Sequence, residues 1–180
     1  MKKFFALVLL FALFQFSGSA QQKYGKTLNF GIGIGYYGYV GHSMPVLHFN
    51  YEFDAAKNFT LAPFISVYSY RNYYWVGNKK YNNYYAYRET VLPIGVKGTY
   101  YFDSILNADS KWDFYLAGSL GFAIRNVQWH DDYDGDHNIY RGAHPLYLDL
   151  HLGAEYHINN KLGLFLDLSS GTSTLGLAFH

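Results

Sequence analysis

Apolar residues recur at every second position along most of this chain, and that period constrains its fold more than any other feature. The clearest stretch is Leu146 to Ile158. Leu146, Leu148, Leu150, Leu152, Ala154, Tyr156 and Ile158 alternate there with Asp149, His151, Gly153, Glu155 and His157. A helix would scatter these residues around its axis, whereas a strand sends each set to its own face. No segment after residue 20 stays apolar for the 18 residues that a membrane helix needs. The chain is therefore read as all-β.

Eight segments carry the alternation: Leu28 to Tyr36, Pro45 to Asp54, Phe59 to about Tyr70, about Tyr84 to Phe102, Trp112 to about Arg125, Leu146 to Ile158, Leu162 to Ser169, and Thr174 to His180. Pro63 is a blemish in the third, because proline cannot donate to a ladder. The links at 55–58 and 159–161 are tight, and the link at 103–110 has turn chemistry. Those at 71–83 and 126–144 are long, with Gly77-Asn78 and Asp134-Gly135 near their midpoints. Asp-Gly is a hairpin-turn signal, so these links are read as strands that run on and fold back.

An even set of alternating strands closes into an up-and-down barrel, in one of two senses. A soluble lipocalin-like carrier keeps its apolar side chains inside. A transmembrane barrel turns them outward to lipid and packs its interior with polar side chains. Three features favour the second. Many glycines share the polar face, and a crowded interior accommodates them better than a solvated coat does. Charged residues make up only 15% of the chain, too few for a soluble surface. Third, aromatics gather at one end of the strands: Phe30, Phe53, Phe59, Phe102, Trp112, Tyr156 and Phe179, with Tyr51, Tyr100 and Phe114 one step away. Aromatic girdles mark the membrane–water interface.

The N-terminus fits that destination. Lys2 and Lys3 precede an apolar run from Phe4 to Phe16, and Gly18 and Ala20 supply the small residues of a cleavage site. This reads as a secretory signal peptide over residues 1–20, leaving 21–180 as a single barrel domain. The apolar run spans only about 20 Å as a helix, short of the roughly 30 Å bilayer core. Formal charge is +1 over the whole chain, which argues against a nucleic-acid partner held by charge. The absence of cysteine excludes disulfides and thiolate metal sites.

The stretch Leu92-Pro93-Ile94-Gly95-Val96-Lys97-Gly98-Thr99-Tyr100-Tyr101-Phe102, followed by Phe114-Tyr115-Leu116-Ala117-Gly118, resembles the central hairpin of the PorT-like group of small OmpA/OmpX-like outer-membrane β-barrels. The ending resembles the aromatic-terminated last strand that barrel-assembly machinery recognises, with the departure that His180 follows Phe179. The resemblance is a diffuse one of pattern over residues 21–180. It implies a monomeric eight-stranded antiparallel barrel in a Gram-negative outer membrane, in contact with lipid and lipopolysaccharide.

Chemistry is thinner. The inward polar set comprises His48, Glu52, Lys97, Arg125, Asp149, His151, Glu155, His157 and Asp167, and is expected to form an ion-paired plug. Asp149 with His151, and Glu155 with His157, place acid and imidazole two residues apart on one face. Such pairs can serve acid–base work, and a lipid-modifying hydrolase would add a serine, for which Ser119 and Ser169 face inward. No motif for such an enzyme is present, and a non-enzymatic structural or surface-contact role without cofactor is expected. Asp132, Asp134 and Asp136 are weak metal candidates, since their glycine sits one place early for an EF-hand loop. Tyr73, Tyr74, Trp75, Tyr84 and Tyr85 lie among cations and amides in a long hairpin, a composition suited to protein or glycan contact.

Overall fold

The computed structural model describes residues 24–35, 44–78, 81–106, 108, 110–129 and 145–180, with the backbone alone at 44, 72–78, 81–86 and 104. The expected signal peptide and the acidic segment bearing Asp132, Asp134 and Asp136 lie outside the described residues. Eight strands follow one another: β1 (Thr27–Gly35), β2 (Met44–Ala56), β3 (Phe59–Asn78), β4 (Tyr81–Tyr101), β5 (Trp112–Trp129), β6 (Leu146–Asn159), β7 (Leu162–Ser169) and β8 (Thr172–Phe179). A single turn of helix, α1 (Asp103–Leu106), lies between β4 and β5. Each strand pairs antiparallel with its sequence neighbours, and β1 pairs with β8 to close the barrel. This is the architecture of the small OmpA/OmpX-type barrels, whose interior side chains just fill.

The alternation resolves into an inverted barrel. Leu148, Leu150 and Leu152 are 59%, 70% and 53% exposed, while Asp149 and His151 between them are 3% and 6% exposed. A lipocalin-like carrier is thereby excluded, because its leucines would point inward. The outward aromatics cluster at the rim that carries Tyr24 and His180. Trp112 lies 5.0 Å from Tyr156 and 5.9 Å from Phe114, ring centre to ring centre. Across the ladders, Phe59 faces Tyr100, and Leu28 faces Phe179.

Three prolines sit within this sheet because each disturbs only one of its two ladders. Pro63 is paired with Val96 on β4, but the β2–β3 ladder passes from Asn50↔Phe64 to Phe53↔Leu61 without it. Pro93 pairs with Ala123 on β5, and the β3–β4 ladder skips from Ile65↔Ile94 to Tyr68↔Val91. Pro45 pairs with Ile34 on β1 and stands just before the β2–β3 ladder begins at Val46. The missing N–H is in each case turned to the interrupted side. At the β2–β3 turn Asn58 adopts φ 58°, a left-handed conformation that asparagine tolerates.

Strand lengths are unequal. β7 and β8 have 8 residues each, whereas β3 and β4 have 20 and 21. The β3–β4 ladder continues through Tyr74↔Tyr85 and Trp75↔Tyr84 to Asn78↔Tyr81. β5 follows β4 only as far as Tyr87↔Trp129, and β2 follows β3 only to Tyr68. The 71–83 link is thus made of continuing strands, as its turn signal suggests, while Asp134-Gly135 lies outside the described residues. Beyond Asn72 and Tyr87 the two strands continue for about 20 Å at the usual rise per residue, paired among the described residues only with each other.

Replacing Leu150, on the outer face, by Arg should destabilise the barrel by about 2–4 kcal/mol, the midplane penalty for a lipid-facing charge. Reversible denaturant unfolding in lipid vesicles measures it. A change within about 0.5 kcal/mol, the ordinary range for a solvated site, would show that this face does not meet lipid.

Candidate functional site

The lumen is filled in three tiers. Beside Tyr24 and His180, the Tyr24 and Tyr101 rings stack at 4.0 Å, and the Tyr24 hydroxyl donates to Asp103 of α1 at 2.7 Å. Glu52 accepts from the Tyr101 hydroxyl at 2.6 Å and from Thr99 at 3.3 Å. At the opposite end Val46, Tyr68, Tyr70, Val91 and Ala123 pack together, and Tyr70 donates to the fully buried Glu89. The third tier, between these two, holds Lys97, Asp167, His151 and His48.

Asp167 on β7 is the hub of that middle tier. One carboxylate oxygen receives Lys97 Nζ from β4 and the Tyr115 hydroxyl from β5, the latter at 3.2 Å. The other oxygen is 2.8 Å from His151 Nδ1 on β6. His151 Nε2 is in turn 2.8 Å from Ser119 Oγ on β5. If Nδ1 donates to Asp167, as an ionised carboxylate requires, Nε2 accepts the Ser119 proton. A serine, an imidazole and a carboxylate thus stand in the order and tautomer of a serine-hydrolase triad. All three are buried, and Lys97 and Tyr115 share the acid.

His48 occupies the same tier without joining that relay. Its Nε2 lies 3.0 Å from Asn50 Nδ2, an obligatory donor, so Nδ1 carries the proton and donates to Ser66 Oγ at 2.7 Å. Asn29 donates to Asn50 at 2.9 Å and extends the chain to β1. Arg125 lies on the inward face of β5 and is half-buried.

Asp149 serves a different purpose. Its carboxylate accepts from Ser169, Ser170 and Tyr147 hydroxyls at 2.9, 2.7 and 3.1 Å. It also accepts from the Gly171 and Thr172 amides at 2.8 and 3.1 Å. This residue ties the β7–β8 turn down onto β6 and supplies the backbone partners that the turn lacks.

Neither acid–imidazole pair on β6 is the dominant contact of its histidine. His151 is 3.8 Å from Asp149 but 2.8 Å from Asp167. His157 is 4.0 Å from Glu155 but 2.7 Å from Asp113 on β5. Glu155 instead binds His180 Nε2 at 2.7 Å, beyond the end of β8, and this carboxylate holds the His180 imidazole above its ordinary pKa against the opposing effect of burial. None of these partners sits directly opposite its mate: Asp167 faces Gly153, Asp113 faces Glu155, and His180 follows a strand that does not pair with β6, so the closer contacts are diagonal across a ladder or reach over β7.

Glycines make the lumen wide enough for these groups. A Cβ on Gly153 would lie 2.2 Å from the Tyr115 ring, and one on Gly163 would lie 2.0 Å from a Glu155 oxygen. Glu89, Asp113, Tyr101 and Tyr115 are absent from the sequence-derived set, although strand parity places Glu89 with Lys97 and Asp113 with Ser119. The backbone of Tyr73, Tyr74, Trp75, Tyr84 and Tyr85 lies in the protruding ribbon, remote from the lumen network.

Lys97→Met would strand Asp167, and removing one partner of a buried ion pair costs about 3–5 kcal/mol. Adding Asp167→Asn should recover much of that loss. Denaturant unfolding of the two single variants and the double variant gives the coupling, and additive effects would show that the two groups do not form a pair.

No family model and no curated protein matches the chain. Among solved structures, it is similar to a de novo designed transmembrane β-barrel, with a TM-score of 0.46 and 11% identity over 88% of this chain and 98% of that one. It is also similar to the Yersinia pestis outer membrane protein Ail in a phospholipid nanodisc, with a TM-score of 0.42 and 12% identity over 85% and 96% of the two chains. A crystal structure of Ail with the heparin analogue sucrose octasulfate gives a TM-score of 0.40 and 9% identity over 85% and 94%.

Proposed function

We propose that this protein is a monomeric, non-enzymatic barrel of a Gram-negative outer membrane, set among lipid and lipopolysaccharide, whose work is contact outside the cell. The observation that carries this reading is the β3–β4 ribbon. Twelve residues, 73–78 and 81–86, pair with each other beyond the point where β2 and β5 leave them among the described residues. Isolated two-stranded sheets are marginal in water. A docking surface is a reason for such an arm to be long. Its sequence supplies Tyr73, Tyr74, Trp75, Tyr84 and Tyr85, residue types enriched at interface centres, beside Lys79 and Lys80. Protein or glycan is the partner class that this mixture suits. The filled lumen supports the same reading, since eight-stranded barrels leave no aqueous channel.

The test joins Asn72 to Tyr87 through a two-residue Asn-Gly turn, leaving the barrel ladders intact. The full chain and this variant, each in nanodiscs, are compared on glycan arrays and on a panel of extracellular-matrix proteins. Binding by the full chain that is lost in the variant supports the reading. Equal binding by both, or no binding by the full chain, overturns it.

A second reading draws on Ser119, His151 and Asp167. Their two hydrogen bonds of 2.8 Å would suit ester cleavage on lipid acyl chains, with Ser119 as nucleophile and His151 as base. Burial of all three within the lumen weighs against it, because a nucleophile must reach its substrate. A fluorophosphonate probe that labels the folded protein, and fails to label Ser119→Ala, would establish the enzyme. No labelling of either rejects it.

A further inference from the structure

We propose that the barrel rim bearing the aromatic girdle holds a divalent transition-metal site of the zinc class, built by Glu155, His157 and His180. One ligand atom from each lies within 4.8 Å of the other two. His157 Nδ1 and His180 Nε2 both face the same oxygen of Glu155, at 4.0 and 2.7 Å. Two imidazoles and one carboxylate form the His₂Glu donor set of zinc sites that keep a fourth position open. Calcium and magnesium prefer all-oxygen sets, so this rim discriminates against them.

The outer ring nitrogens give the second argument. Metal-binding histidines are oriented by a hydrogen bond from the nitrogen that faces away from the ion. His157 Nε2 lies 2.7 Å from Asp113 Oδ2, which holds the proton on Nε2 and leaves Nδ1 bare. For His180, Nδ1 lies 3.0 Å from Thr27 Oγ1. The Thr27 hydroxyl spends its one proton on the Tyr24 carbonyl at 2.9 Å, so it can only accept from His180. Nδ1 therefore keeps its proton, while Nε2, which donates to Glu155 in the metal-free protein, gives up its proton to become the ligand. Both rings are thus aimed at Glu155 by groups on other strands.

Local backbone supports the same arrangement. The β6–β7 register shifts between His157 and Asn159, and bulges of this kind re-aim side chains at barrel rims. Gly163, opposite His157, leaves the space that the Glu155 carboxylate occupies. His157 and His180 are partly exposed, which gives an ion a path to the site.

The experiment uses the full chain without a polyhistidine tag, folded in detergent micelles and stripped with a chelator. Isothermal titration with Zn²⁺ should give one equivalent bound, while Ca²⁺ at the same concentration should give none. His157→Ala and His180→Ala should each weaken Zn²⁺ binding by more than about tenfold, and Asp113→Asn by about tenfold through loss of ring orientation. His180 lies outside the β8 ladder, so its variant keeps the barrel, and gel mobility of unboiled samples confirms folding. Co²⁺ in place of Zn²⁺ should show the visible bands of a low-coordinate nitrogen–oxygen site. Absence of Zn²⁺ binding, or equal binding by folded His180→Ala, overturns the proposal.

Discussion

Lipid offers no hydrogen-bond partner to a peptide group, and the rest of this structure follows from that. Strands can cross a bilayer only if each ladder is completed by another and the sheet has no edge. The β1–β8 pairing meets that condition, with Leu28 opposite Phe179 and Gly35 opposite Thr172. Once the sheet is closed, each strand has one face for lipid and one for a lumen that only side chains can fill. The period of two is the imprint of this division. The prolines obey it too, since each withholds its N–H from one ladder while remaining paired in the other.

Charges inside such a barrel must find partners from other strands, because water is scarce and the wall is greasy. Asp167 meets the need by collecting Lys97, Tyr115 and His151 from three strands. Asp149 meets it differently, by accepting from a turn. The two carboxylates look alike in sequence, each alternating with leucines, yet one cross-links the barrel and the other ends a hairpin. Which role falls to which depends on strand length: β7 stops at Ser169, so Asp149 faces a turn where a longer β7 would have continued.

Much of this was legible in the residues. Alternation gave the strand count, the closure and the outward leucines, and the terminal aromatics gave the rim. Parity alone also puts His48, Glu52, Lys97, Asp149, His151, Glu155 and Asp167 inside, where all seven are buried. Their pairing was not legible, because it depends on register. Spacing along β6 suggested Asp149–His151 and Glu155–His157, but strands β5, β7 and β8 bring closer partners. Ser119, His151 and Asp167 are likewise united only by the register of β5, β6 and β7. The ends of β3 and β4 were blurred for another reason: aromatics such as Tyr73, Tyr74, Trp75, Tyr84 and Tyr85 fall on both parities there, so no strict alternation marks the strand limits.

Tyr115 lies over Gly153, with no room for even a methyl group between them. The two positions therefore share one allotment of volume. Were residue 153 to gain a side chain, residue 115 would have to shrink, and the hydroxyl that reaches Asp167 would go with it. Gly163 and Glu155 stand in the same relation near His180. Divergence of such a barrel would be expected to proceed by exchanges of bulk across a strand pair, so that positions on opposite sides of a ladder drift together while the outer wall changes freely among greasy residues.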